Sequence, residues 1–177
     1  MNTEMKQKMA ESVRGFRLPR YHEIPDTGLY LEQTAKYMNG FLAPLDCMEV
    51  TPTMISNYVK KGLLPNPIKK LYYAEHISYL FFIVVAKNLV SMDHIRLLID
   101  MQRSTYTLPV AYDYLCAEME NMLFFLFGLK DTIDSVGVTE SDEKNLLGNL
   151  IFSAVNVIYI NACVKQIRAA ELDQINE

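Results

Sequence analysis

The 177-residue sequence is poor in cysteine, glycine and proline, with three, seven and seven of them respectively. The thiols of Cys47, Cys116 and Cys163 lie far apart and form no C-x-x-C pair. That excludes a zinc-ribbon or thioredoxin-like spacing and suits a reducing cytosol. So little Gly and Pro beside an apolar content of 50% excludes collagen-like, low-complexity and largely disordered chains. Arrangements that carry catalysis are missing as well: there is no Gly-rich phosphate loop, nucleophile elbow or paired-carboxylate signature. His22, His76 and His94 are scattered. Neither Glu75-His76 nor Asp93-His94 puts two ligands on one helix face, because adjacent helical residues point about 100° apart. No enzymatic activity, metal or cofactor is therefore expected.

Convincing period-2 alternation is almost absent, while apolar residues recur at helical spacing, so the expected class is all-α. The opening MNTEMKQKMAESVRGFR has no continuous hydrophobic core and is not read as a secretory signal. Two longer apolar stretches stand out. Ile77 to Val90 is too short to span a bilayer, and Leu146 to Val164 carries Asn149, Ser153, Asn156 and Asn161, whose polar groups are costly in hydrocarbon. Both are expected to be buried helices in a cytoplasmic protein with no membrane contact.

Met5, Met9 and Val13 form a helical stripe that Gly15 ends, and the two prolines of RLPRYHEIPD favour an extended connector. Leu29 to Leu42 reads as an amphipathic helix with Leu31, Ala35, Met38 and Leu42 on one side, closed by Pro44. Thr51-Pro52 is a helix start and Gly62 its stop; LLPNPIKKLYY reads as a turn or short β-wing. Helices follow over Tyr73 to Asn88, from the Ser91 cap onward, over Val110 to about Lys130, and over Glu140 to about Leu172, the last with a capping-box-like Thr139 to Asp142. The expected organisation is an N-terminal arm (1–28), a central unit of helices around a short wing (29–103) and an acidic helical region (104–177).

Charge is scarce overall and divided unevenly. The net charge is −4, but residues 1–103 hold 13 Lys/Arg against 10 Asp/Glu, whereas residues 104–177 hold 4 against 11. No acidic residue occurs between Val50 and Ala74, a stretch that carries Lys60, Lys61, Lys69 and Lys70. On a helix over Pro52 to Lys61, the apolar Ile55, Tyr58 and Val59 fall on one face with Met54 at its edge. Thr53, Ser56, Asn57 and Lys60 occupy the opposite face. Hydroxyl, amide and ammonium groups in a row suit the edges of bases in a duplex, and a helix N-terminus favours a phosphate. The same row also reads as an ordinary solvated face; a preceding helix and a following basic wing tilt the balance toward DNA.

The run TPTMISNYVKKGLLPNPIKKLYYAEHISYLFFIVVAKNLVSMDHIRLLI resembles the DNA-binding domain of the MerR class of regulators. The residues that carry the resemblance are Tyr58, Gly62-Leu63-Leu64-Pro65, Tyr73 with Ile77 and Leu80, and Leu89 to Ile95. With PRYHEIPDTGLYLEQTAKYMN before it, the chain also resembles a smaller bacterial family described only as a domain of unknown function, number eighteen thirty-six. The MerR resemblance implies a winged helix-turn-helix in a transcriptional regulator that binds double-stranded DNA as a homodimer. It implies that Thr53, Ser56, Asn57 and Lys60 face bases, and that Lys61, Lys69, Lys70 and Tyr72 contact phosphate. Lys69-Lys70-Leu71-Tyr72 departs from the Arg and aromatic of that class; lysine binds phosphate as a point charge without the guanidinium fork. The loop APLDCMEVTP is also longer than a compact helix-turn-helix needs.

The second half, with Met119, Met122, Phe124, Phe125 and Phe127, reads chiefly as a helical core and dimer interface, with a pocket for an apolar small-molecule effector as the alternative. Cys116, alone in an apolar helix, is read as a small buried hydrophobe. A protein-interaction module that keeps the regulator fold without binding DNA is the competing function.

Overall fold

Side-chain caps decide where most helices begin. Asn2 Oδ1 accepts from the Met5 amide (2.9 Å) to open α1 (Thr3–Val13), and Thr51 Oγ1 accepts from Met54 (3.2 Å) to open α3 (Pro52–Lys60). Ser91 Oγ does the same for α5 (Met92–Thr105) and Ser141 Oγ for α7 (Asp142–Ile175). At α2 (Leu31–Leu42) and α4 (Ala74–Ala86), the third residue reaches back instead: Tyr30 N–H donates to Gln33 Oε1 and Tyr73 N–H to His76 Nδ1. α6 (Leu108–Leu126) starts with Pro109 in its first turn, where a missing N–H costs nothing. These elements come from a computed structural model that describes residues 1–137 and 141–175, with the side chains of 173–175 left aside. The expected cap at Thr139 lies outside the described residues.

Seven α-helices, two single-turn 3-10 helices (Tyr21–Glu23 and Ala43–Leu45) and one two-stranded sheet are the regular elements of the described residues, an all-α architecture. β1 (Leu29–Tyr30) pairs antiparallel with β2 (Leu71–Tyr72), Leu29 opposite Tyr72 and Tyr30 opposite Leu71. The segment expected to be an arm leads directly into β1 and packs Phe16, Leu18 and Ile24 into the interior. It is also tied to α6. Both guanidinium N–H groups of Arg20 donate to the two carboxylate oxygens of Glu120, each at 2.7 Å, and the Leu18 amide donates to the same carboxylate.

α4 is apolar on nearly every side and sits at the centre, with Ile77, Leu80, Phe81, Ile83 and Val84 fully buried. One apolar core runs without interruption from Met9 on α1 to Ile158 on α7, through all three expected segments. The stretch from Leu146 to Val164 corrects the sequence expectation. Leu150, Ile151, Ala154, Val155 and Ile158 are buried, but Leu146 (48% exposed), Phe152, Val157, Ile160 (58%) and Val164 face outward. The reason is geometric: at 1.5 Å per residue α7 is about 50 Å long and its main neighbour α6 only about 30 Å, so α6 covers one face over part of the length.

Candidate nucleic-acid interface

The short α3 is held from below by its apolar side. Ile55 and Tyr58 are buried and Met54 and Val59 half-buried, as the helical spacing predicts. The loop before it, longer than a tight turn, is fixed by one side chain of α2. Asn39 Nδ2 donates to the Val50 carbonyl (2.8 Å) and its Oδ1 accepts from the Val50 amide (2.9 Å), so the carboxamide satisfies both backbone groups just ahead of the Thr51 cap. At the other end Gly62 takes a left-handed φ of 68°, and the Arg96 guanidinium of α5 donates to the Lys61 carbonyl. α3 is therefore anchored at both ends by residues outside it.

On its outer side Thr53, Asn57 and Lys60 are exposed and Ser56 is half-exposed; Lys61 follows, also exposed. None of these five side chains makes a hydrogen bond or ion pair among the described residues. Hydrogen-bonding groups left to water at the surface of a well-anchored helix are available to a ligand.

The segment after Gly62 buries Leu63 and Leu64, then forms a tight hairpin closed by reciprocal hydrogen bonds between Ile68 and Leu71 (3.1 and 2.9 Å). Lys69 and Lys70 are its two tip residues, both left-handed with φ of 51° and 67°. Two consecutive positive-φ residues are the signature of a type I′ turn, which normally takes Asn and Gly. Both lysines are exposed. They project from the hairpin without a partner among the described residues.

Tyr72 behaves differently from the phosphate contact expected of it. It is 5% exposed, its ring stands edge-on to His76 at 5.6 Å, and burial pushes its phenol above the ordinary range. Because residues alternate along a strand, Leu71 and Tyr72 point to opposite faces and Tyr72 takes the inward one. The exposed aromatic of the sheet is Tyr30 on β1, 57% exposed and opposite Leu71.

Sequence reasoning missed several supports. Gly28, with φ of 74°, lies where a Cβ would meet Leu71 Cβ and the Tyr73 ring at 3.0 Å, so β1 reaches β2 only through glycine. His76 links two elements: beside its bond from Tyr73 N–H, its Nε2 lies 3.3 Å from the Asn66 carbonyl of the hairpin. A glycine directly before an apolar pair and a histidine three residues after Tyr73 were the available signals.

Cys116 is buried, donates to the Pro19 carbonyl at 3.7 Å, and burial raises its thiol to about 12. Among the described residues no three His, Cys, Asp or Glu side chains are grouped to hold a metal ion.

No curated protein and no solved structure matches the chain. One family does, described as a domain of unknown function (DUF1836), over residues 19–115. That span takes in β1, α2, α3, the lysine-tipped hairpin, α4, α5 and the start of α6, more than half of the chain, and the protein belongs to the DUF1836 family.

Proposed function

We propose that this protein is a cytoplasmic, MerR-like transcriptional regulator that binds double-stranded DNA as a homodimer. α2 and α3 would form the helix-turn-helix, with α3 in the major groove and the hairpin at Lys69 and Lys70 as the wing. Thr53, Ser56, Asn57 and Lys60 would face base edges, while Lys61, Lys69 and Lys70 would meet phosphates. The observation that carries this reading is the unengaged row on α3 followed by two strained, exposed lysines in a stretch without an acidic residue. Tyr72, being buried, is left out of the contact set, and Tyr30 takes its place on the wing.

The homodimer rests on the uncovered face of α7. Leu146, Ser153, Ile160 and Ile167 recur every seven residues, with Val157 and Val164 between them, the spacing that keeps one helix seam against another. No charged residue interrupts α7 from Asn145 to Val164. Antiparallel pairing of two copies would set Lys165 and Arg168 of one beside Asp142 and Glu143 of the other. By length and composition Asp142–Leu172 is also able to cross a membrane. Its other face, however, is committed to the core through Ile151, Ala154, Val155 and Ile158, which favours a protein partner.

Anisotropy titration of labelled duplex fragments from the protein's own locus, at low salt, tests the DNA reading. A bound fragment that Lys60→Glu/Lys61→Glu releases supports it; no bound fragment refutes it in favour of an interaction module. Light scattering tests the dimer, which Ile160→Lys should convert to a monomer.

A further inference from the structure

A cavity of about 520 Å³ lies where α4, α5 and the start of α6 meet the beginning of α7. Phe82, Leu98, Met101, Ala111, Leu115 and Leu147 are among its walls, and four tyrosines add aromatic surface. Protein interiors are packed to crystal-like density, so a void of this size is not a packing defect; it falls in the range of small-molecule sites, roughly 300–1,000 Å³.

What the cavity accepts follows from its polar groups, most of which are matched within the protein; the buried exception is the Tyr112 hydroxyl, which has no hydrogen-bond partner among the described residues. Tyr79 hydroxyl donates to Gln102 Oε1 (3.1 Å), and Gln102 Nε2 donates to the Tyr106 carbonyl (2.7 Å). The Tyr106 hydroxyl shares a hydrogen bond with Ser141 Oγ (2.9 Å), and Asp113 accepts from the Tyr21 amide (2.8 Å). The Lys144 ammonium donates to the Gly137 carbonyl (3.3 Å) and lies 5.7 Å from the centre of the Tyr114 ring. Glu143, without a partner among the described residues, is half-exposed and keeps its water. The charged residues of the lining, Asp113, Glu143 and Lys144, are all half-exposed and stay in contact with water, so an ionic occupant would lose its hydration without meeting a buried charge.

We infer that this cavity is a binding site for an uncharged, predominantly aromatic small molecule. Its walls come both from the family-matched segment and from residues beyond it, so an occupant braces α5 against α7. The inference does not depend on DNA binding, and its test does not involve DNA.

The probe is N-phenyl-1-naphthylamine, an uncharged aromatic dye that brightens in apolar surroundings, titrated into the full chain. Expected is saturable uptake of one dye per chain and a rise in melting temperature with dye concentration. Ala111→Trp and Ala117→Phe fill the cavity from α6 and should weaken uptake at least tenfold while circular dichroism is unchanged. Should the first fail to fold, the second carries the comparison. Leu97→Lys, on the outer face of α5 and 65% exposed, should leave uptake as it was. Absence of saturable uptake, uptake undiminished by cavity filling, or uptake lost in Leu97→Lys would overturn the site. Tighter binding of the anionic 8-anilinonaphthalene-1-sulfonate would overturn the ligand class.

Discussion

Replacing Lys69-Lys70 with Asn-Gly separates the two things the hairpin tip does. L-residues other than Gly and Asn are disfavoured in the left-handed region by roughly 1–2 kcal/mol each, and both lysines sit there, with φ of 51° and 67°. Glycine at the second position relieves the strain but gives back roughly 0.5–1 kcal/mol in unfolded-chain entropy, and asparagine at the first relieves part of it. The expected net gain is about 1–1.5 kcal/mol, which for a chain of this length raises the melting temperature by about 3–5 °C. The same change removes two cations from the hairpin tip. If both contact phosphate, the slope of log K against log salt becomes shallower by about 2, since each contact contributes about 0.9. A more stable protein with a flatter salt dependence is the expected result, read by thermal unfolding and by anisotropy at several salt concentrations. A variant that is no more stable refutes the strain, and one with an unchanged salt slope refutes the proposed phosphate contact.

Gly28→Ala should destabilise by about 2 kcal/mol, since a Cβ there is strained at φ of 74° and meets β2 and the Tyr73 ring; urea unfolding measures it. Glu120→Gln should cost about 2 kcal/mol, below the 3–5 of a fully buried pair because the two side chains remain 15% and 23% exposed, and thermal unfolding checks it. Burial raises the Glu118 carboxyl, with the Asn121 hydrogen bond and Lys144 and Lys130 opposing the shift. The folded state therefore holds that proton more tightly than the unfolded chain, so its contribution is present at low pH and lost as pH rises above the ordinary value of 4.5. Glu118→Gln should match the parent below pH 4 and melt higher at pH 7, which a melting series across that range decides. Glu23 runs the opposite way, held at about 2 by Arg17 and the Arg20 amide, so its contribution fades as pH falls from 4.5 toward 2. Glu23→Gln should flatten acid unfolding in that window.

The helices were legible because their signals are local. Thr51-Pro52, Ser91 and Pro109 each act within one turn, and each marks a helix start in the structure. Buried α4 was legible for the same reason, being apolar on every side over a length too short for a bilayer. α7 was not, because burial depends on what lies alongside. The apolar pattern of Leu146 to Val164 shows that two sides of the helix avoid water; that α6 covers only one of them depends on where another segment ends.

The candidate interface divides along the same line. The faces of α3 follow from its own period, and the hairpin tip from the two prolines and the flanking apolar residues. What positions them comes from far along the chain: Asn39 from α2, Arg96 from α5, and Gly28 as the close approach that lets β1 join β2. Tyr72 was misplaced because strand register depends on its partner. Once Leu29 pairs with Tyr72, the aromatic side chain that faces outward from the sheet is Tyr30 rather than Tyr72. The basic island is thus a property of sequence, but its rigid presentation is a property of contacts between the family-matched segment's own distant parts. Loss of Asn39 or Gly28, neither of them charged, should weaken the proposed DNA binding without altering a single cation, which distinguishes a preorganised surface from a patch of charge.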